Sequence, residues 1–218
     1  MKRHETVILF DLDGTLIDST EAILESFSAA YGDLGAEAPD TGAIVPMIGI
    51  PLGEMFERLG VKHTLVARYV AAYKRRYREI SRQKTVLLPG AREAVEEAAE
   101  FARLGVVTTK TGRYSIELME HFGLMSHFEV LVGSEDVKRH KPHPEPVFKA
   151  LDAMGVSTSG AWMIGDTLMD IRAAHAAGIR PYALTCGYGR KEALEAECKH
   201  LAPDAKTAVV NIRSESLL

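Results

Sequence analysis

The sequence predicts an α/β protein: a doubly wound parallel sheet with helices on both faces and an all-helical block inserted after the first strand. Three observations carry this. Val7-Ile8-Leu9 is a short β-branched and apolar run that stops abruptly at two acids, Asp11 and Asp13. Between residue 18 and about residue 85, apolar residues recur only at helical spacing. From residue 89 onward, short apolar runs alternate with helical segments, which marks strands joined by crossover helices.

Taken in order, Val7 to Leu9 predicts a buried strand that delivers Asp11 to a sheet edge. Ile23, Phe27, Ala30 and Tyr31 fall on one helical face, with Ser19 or Thr20 as N-cap and Gly32 or Gly35 near the end. Leu52, Met55, Phe56 and Leu59 repeat that spacing behind Pro51, and Leu65, Val66, Tyr69, Val70, Tyr73, Tyr77 and Ile80 do so over a longer stretch. The helical block ends at Val86-Leu87-Leu88-Pro89-Gly90, a turn signal. Ala91, Ala94, Val95, Ala98 and Ala102 predict a helix stopped by Gly105, followed by the strand Val106-Val107-Thr108-Thr109. The pattern continues with a helix around Ile116, Met119 and Phe122, a strand at Val130-Leu131-Val132-Gly133 and a helix over 146–154. A strand over 161–164, a helix over 168–177 and the strand Tyr182-Ala183-Leu184 follow, and Val209-Val210 reads as a short edge strand.

At 218 residues the chain is long enough to bury roughly 70 to 75% of its unfolded surface. Apolar residues make up 46% and charged residues 26%, ordinary values for a globular protein. A net charge of −4 argues against general nucleic-acid binding, which needs a cationic surface. No apolar run approaches the roughly 18 residues of a membrane span. The start Met1-Lys2-Arg3-His4 is basic, but Glu5 and a short apolar run follow, which is not a signal-peptide pattern. Cys186 and Cys198 are too few for a disulfide framework and read as thiols in a reducing compartment, so a cytoplasmic protein is expected.

The chemistry centres on Phe10-Asp11-Leu12-Asp13-Gly14-Thr15. Alternate residues of an extended segment point the same way, so Asp11 and Asp13 converge, and Gly14 permits a sharp exit. Two carboxylates about 4 Å apart repel by roughly 4 kcal/mol at an effective dielectric near 20, which favours a bound cation or a shared proton. Hard oxygen ligands of this kind suit Mg²⁺, usually held together with phosphate oxygens. Open parallel sheets bind ligands beyond the carboxyl ends of their strands. That rule selects Thr108 and Thr109, whose hydroxyls and N–H groups suit phosphate oxygens, although both also favour a strand end for its own sake. It also selects Asp166 after Gly165, with Asp170 four residues on in the next helix; one of the two acids ligates metal while the other orients it or Lys141. Lys141 lies in Arg139-His140-Lys141-Pro142-His143-Pro144, where prolines restrict the backbone and make the ammonium a positioned point charge.

These four segments, D-x-D-G-T, a strand-end Thr, a Lys in a K-P-x-P loop and G-D-x-x-x-D, resemble the four motifs of the haloacid dehalogenase-like hydrolase superfamily, in the family's order. The resemblance covers nearly the whole chain. It implies a Rossmann-like core over residues 1–16 and 89–218, with the first strand central, and a helical cap over residues 17–88. It implies Asp11 as nucleophile, Asp13 as general acid and base, and Thr108 and Lys141 holding the transferring phosphoryl group. Mg²⁺ would then sit on Asp11, the backbone carbonyl of Asp13, and Asp166, with Asp170 behind them.

Departures from sister activities narrow the choice. Dehalogenases of the family lack the second acid, here Asp13. Phosphonate-cleaving members use a cap lysine, and this chain has none between Lys2 and Lys62. Mutases with this cap type carry a His about where Ile23 stands. Ile48-Gly49-Ile50-Pro51-Leu52 resembles the cap loop that overhangs the pocket in the family's phosphoglycolate phosphatases and pyrophosphatases, which implies Gly49, like Thr109, as a substrate-binding residue; it equally reads as a turn before a helix. Lys74, Arg75, Arg76 and Arg78 have the charge to attract an anionic substrate, but read first as a solvated helix face with Tyr73 and Tyr77 packed behind it. His140 and His143 lack zinc spacing, and Gly187-Tyr188-Gly189 is too short a motif to imply a dinucleotide. The expectation is a Mg²⁺-dependent phosphatase of a small acidic metabolite, phosphoglycolate first, acting as a monomer or homodimer. Inorganic pyrophosphate or a sugar phosphate is the second enzymatic reading, and a non-catalytic phosphate-metabolite binder is the reading from another class.

Overall fold

The computed structural model describes residues 6–216. The reading of the basic start, and the outer limits of the expected core at residues 1 and 218, lie outside them. In chain order the elements are β1 (Thr6–Phe10), β2 (Ile17–Asp18), α1 (Thr20–Asp33), α2 (Thr41–Ile44), α3 (Leu52–Arg58), α4 (His63–Ile80), β3 (Val86–Leu87), α5 (Ala91–Ala99) and β4 (Ala102–Val107). They continue with α6 (Gly112–His121), β5 (Phe128–Val132), α7 (Glu145–Met154), β6 (Ala161–Gly165), α8 (Leu168–Ala177), β7 (Arg180–Leu184), α9 (Lys191–Glu197), β8 (Leu201–Ala202) and α10 (Ala205–Glu215). Three single-turn 3₁₀ segments complete the list, at Val45–Met47, Met125–His127 and Ser134–Asp136.

Six parallel strands form one sheet in the order β5-β4-β1-β6-β7-β8, which is the doubly wound α/β fold the sequence predicts. Pleating explains why β1 is apolar on both sides. Ile8 and Phe10 point into one buried layer with Ala94, Val95, Leu118, Val209 and Ile212, contributed by α5, α6 and α10. Val7 and Leu9 point into the other, with Val147, Leu151, Met163 and Ala174 around α7 and α8. Sheet order changes direction at β1, so the carboxyl ends of β1, β4 and β6 meet at the switch point where such sheets bind ligands.

The helical segment has its own apolar cluster. Phe27 lies 4.7 Å from Phe56 and 5.2 Å from Tyr73 between ring centroids, and Tyr31 lies 4.9 Å from Tyr69. These rings close α1, α3 and α4 around one another, and Tyr114 of α6 joins them from the sheet side. The two connections to the sheet run side by side: β2 pairs antiparallel with β3, Ile17 opposite Leu87. A two-residue strand carries too little alternation to be read from sequence, and this pair was missed. None of the helices is long and apolar enough to cross a membrane, among the described residues. Cys186 and Cys198 are both free.

Two expected boundaries are corrected. The helix predicted to reach Gly105 stops at Ala99, and β4 already begins at Ala102, which pairs with Thr6. Gly105 is a strand residue whose missing side chain leaves room for the side chains of Leu9 and Val130; a Cβ there would come within 2.8 Å and 2.9 Å of them. The glycine marks close packing, and was misread as a helix stop. Val209 and Val210 are helical, in α10, and the edge strand is Leu201–Ala202 instead. Asp204 caps that helix by accepting from the Thr207 N–H at 2.8 Å. Ala205, Ala208, Val209 and Ile212 form its buried stripe while Val210 faces out, so the two valines never alternated across a sheet.

Candidate active site

Asp11 follows β1 directly, and its N–H donates to the Ile164 carbonyl at 2.9 Å, so the sheet ladder carries it to the strand's end. A tight turn follows. The Leu12 carbonyl accepts from the N–H groups of Thr15, Leu16 and Ile17, and Gly14 takes a φ of +82°, a conformation side chains resist. The turn folds Thr15 back so that its hydroxyl donates to Asp166 Oδ1 at 2.9 Å.

Lys141 is the hub. Its ammonium lies 2.9 Å from Asp11 Oδ1 and 2.6 Å from Asp170 Oδ1, and it donates to the Val107 carbonyl at 2.9 Å. The residue is 3% exposed, so these charges interact with little water between them. Asp170 is held by local helix chemistry: as the third residue of α8 its Oδ2 accepts from the Thr167 N–H at 3.0 Å and the Thr167 hydroxyl at 2.7 Å, a capping arrangement. Both its oxygens are thereby engaged, which makes it the group that positions Lys141.

Asp11, Asp166 and Asp170 are all buried and each offers an oxygen within 4.8 Å of the others. Burial pushes the Asp11 carboxyl up to about 7 from 3.8; Lys141 opposes the shift and Asp170 and Asp13 add to it. Burial, reinforced by Asp170 and Asp11, holds Asp166 well above the ordinary carboxylate range. Lys141 stays firmly charged, because Asp11 and Asp170 outweigh the cost of burying it. Asp11 Oδ1 is buried, and the Lys141 ammonium is its partner at 2.9 Å. Three clustered buried carboxylates against one lysine are the hard-oxygen donor set a divalent cation of the magnesium type fits.

Asp13 faces the other way, toward the helical segment. Its carboxylate accepts from the Ser19 hydroxyl and pairs with Lys110 at 3.0 Å. Lys110 in turn lies 4.6 Å above the ring of Tyr77, so a cation-π contact joins α4 to the strand-end acid. Burial opposes the Lys110 charge, yet Asp13 and the phenols of Tyr77 and Tyr73 outweigh it and hold the ammonium pKa well above its ordinary value. A cavity of about 630 Å³ opens above, with Asp13, Thr109 and Lys110 on its floor and the helical segment as its roof.

Of the residues selected from sequence, Asp11, Lys141, Asp166 and Asp170 meet directly. Thr108 is buried just past β4, next to the Val107 carbonyl that Lys141 binds, and its hydroxyl accepts from the Lys110 N–H at 3.2 Å. Thr109 turns to the helical segment, donating to the Gly49 carbonyl at 2.9 Å, so both line the cavity. On α4, Arg75 and Arg76 pair with Asp33 and Glu25, and Arg78 reaches the Tyr114 hydroxyl, whereas Lys74 faces the cavity. His143 accepts from the Glu145 N–H and His140 bonds the Ser134 carbonyl, as loop polar residues do.

Sequence reasoning missed Lys110 and the loop at Gly187-Tyr188-Gly189. The Tyr188 N–H donates to Asp166 Oδ2 at 2.8 Å, and a Cβ on Gly187 would collide with the Asp166 side chain. The glycines let the loop wrap that carboxylate; the signal was a G-x-G after a strand, read only against dinucleotide binding.

Residues 8–184 match the haloacid dehalogenase-like hydrolase family. A phosphoglycolate phosphatase of Yersinia pseudotuberculosis is 30% identical over 194 residues, covering 86% of this chain and 84% of that protein. The pyrophosphatase PpaX of Halalkalibacterium halodurans is 33% identical over 174 residues, covering 79% and 80%. The solved structure of the haloacid dehalogenase-like family protein SP0104 from Streptococcus pneumoniae superposes with a TM-score of 0.85 at 26% identity, over 94% of this chain and 97% of that one. With the strand order, the buried acids and these likenesses together, the chain belongs to the haloacid dehalogenase-like hydrolase family and groups with its phosphatases.

Proposed function

We propose that this chain hydrolyses phosphate monoesters of small metabolites with Mg²⁺, through a phosphoryl group carried transiently on Asp11. The observation that supports this most is the Asp11 carboxylate: buried at the strand end, and beside both a fixed ammonium and a second acid. Asp11 attacks phosphorus, the bond to the ester oxygen breaks, and Asp13 gives that oxygen its proton. Asp13 then takes a proton from a water that attacks the same phosphorus, releasing phosphate and restoring Asp11. Lys141 holds charge against the phosphoryl oxygens, fixed by Asp170 from behind, and Thr108, whose N–H is taken by the Val132 carbonyl, offers its hydroxyl at the strand end. Asp11, the Asp13 carbonyl and Asp166 would hold the Mg²⁺, which when bound offsets the negative charge of carboxylates and phosphoryl group alike.

In this reading residues 17–88 act as a cap over a core of 1–16 and 89–218. The Thr109 to Gly49 hydrogen bond supports a closed arrangement in which the cap loop excludes bulk water. The relatives named above act on different phosphorylated compounds, so the leaving group is a question for the cavity. Phosphate release from p-nitrophenyl phosphate with Mg²⁺, measured for the wild type and Asp11→Asn, tests the reaction. The variant is expected to lose at least about a thousandfold in kcat, as removal of a nucleophile does. Equal rates would refute it.

A further inference from the structure

Resting on that phosphatase reading, we infer that the preferred substrate carries a neutral, bulky apolar leaving group, of the aryl-alkyl kind, and not a small acid. The cavity above Asp13 holds about 630 Å³, within the roughly 300–1,000 Å³ that encloses a whole drug-sized ligand. A two-carbon acid attached to phosphate would leave most of it to water. Ile48, Ile50, Leu52, Val66, Val70 and Tyr114 supply its walls, with aliphatic side chains on the cap side and a ring on the sheet side.

Charge points the same way. The lining acids are Asp13, Glu54, Glu57 and Glu135, and the lining lysines are Lys74 and Lys110. Arginine is absent from that lining, among the described residues. Lys110 is committed to Asp13 and the Tyr77 ring. Glu135 accepts from the Gly112 N–H at 2.8 Å and is ionised: burial raises its carboxyl, but the backbone donors and Lys74 outweigh that. With Asp13 paired to Lys110, Glu54 to Arg58 and Glu57 to His63, the remaining lining lysine, Lys74, acts on the ionised Glu135, so a leaving group with its own carboxylate meets no unopposed cation and no bidentate partner. An apolar group meets Leu52, Val66 and Val70, which are partly exposed in its absence, and burying it there is favourable.

The test compares kcat/KM with Mg²⁺ for 2-phenylethyl phosphate, ethyl phosphate and phosphoglycolate, alkyl esters chosen because none has the activated leaving group of an aryl phosphate. The expected order places 2-phenylethyl phosphate at least about tenfold above both others, mainly through KM, the gain an apolar pocket gives. Val70→Arg, which puts a cation on the wall, is expected to lower the 2-phenylethyl value and raise that for phosphoglycolate, narrowing the ratio at least about tenfold. If phosphoglycolate equals or exceeds 2-phenylethyl phosphate in the wild type, the inference is overturned while the phosphatase reading stands. If no ester releases phosphate, both fall.

Discussion

Replacing Lys141 with methionine keeps the volume and deletes the one cation shared by Asp11 and Asp170. The ammonium lies 2.9 Å from one carboxylate and 2.6 Å from the other. At an effective dielectric near 20 each contact is an attraction of about 6 kcal/mol before desolvation is subtracted. Leaving a buried charge unpaired costs about 3–5 kcal/mol net. For a chain of this length that corresponds to a fall in Tm of about 6 to 20 °C. The loss should depend on pH. Burial holds the folded Asp11 carboxyl at about 7 against 3.8 for a free carboxyl, so below about pH 6 this group is already protonated and needs no cation. Differential scanning calorimetry in EDTA at pH 7.5 and pH 5 measures both effects, and the shift should be larger at pH 7.5. A change under about 2 °C at pH 7.5, or a larger one at pH 5, would refute the assignment of Lys141 as the common partner.

Metal and pH should act together on the wild type. With the Asp11 carboxyl raised by burial, the folded chain keeps a proton that the unfolded chain has lost, so metal-free stability falls as pH rises from about 4 to 7. Mg²⁺ at a hundred times its Kd is expected to restore about 2.7 kcal/mol at pH 7.5, seen as a higher Tm, and EDTA should abolish phosphate release. Gly187→Ala pushes a methyl group against Asp166, and titration calorimetry should find Mg²⁺ affinity reduced about 10- to 100-fold. Unchanged affinity would remove that loop from the site. Thr109→Val deletes the hydrogen bond to the Gly49 carbonyl, a loss of about 0.5–1.5 kcal/mol that steady-state kinetics should register as a KM raised by up to about tenfold.

Much of the site was legible because its residues sit where strand patterns end. Asp11, Thr108 and Asp166 each follow an apolar run, and ligands of open parallel sheets bind at those ends, so local pattern alone nominates them. Lys110 was not legible. It lies two residues past Thr108 in a polar stretch, and only the approach of Tyr77 and Asp13 distinguishes it from a solvated lysine. The glycines at 105 and 187 misled for a related reason. A glycine reports that something is close, and sequence does not say what.

Periodicities of two and 3.6 within short windows specify the five longer strands and the helices between them, the two apolar faces of β1, the helical segment between residues 20 and 80 and the acids at the strand ends. Tertiary structure alone decided which of those groups touch. Lys141 reaches back 34 residues to Val107 and forward 29 to Asp170, and Tyr188 reaches back 22 to Asp166. Such contacts depend on sheet order and on where the crossover helices return the chain, and no local pattern encodes that order. The cavity is of the same kind: its walls come from two parts of the chain that fold around separate apolar clusters, so its volume and charge exist only once those parts have met.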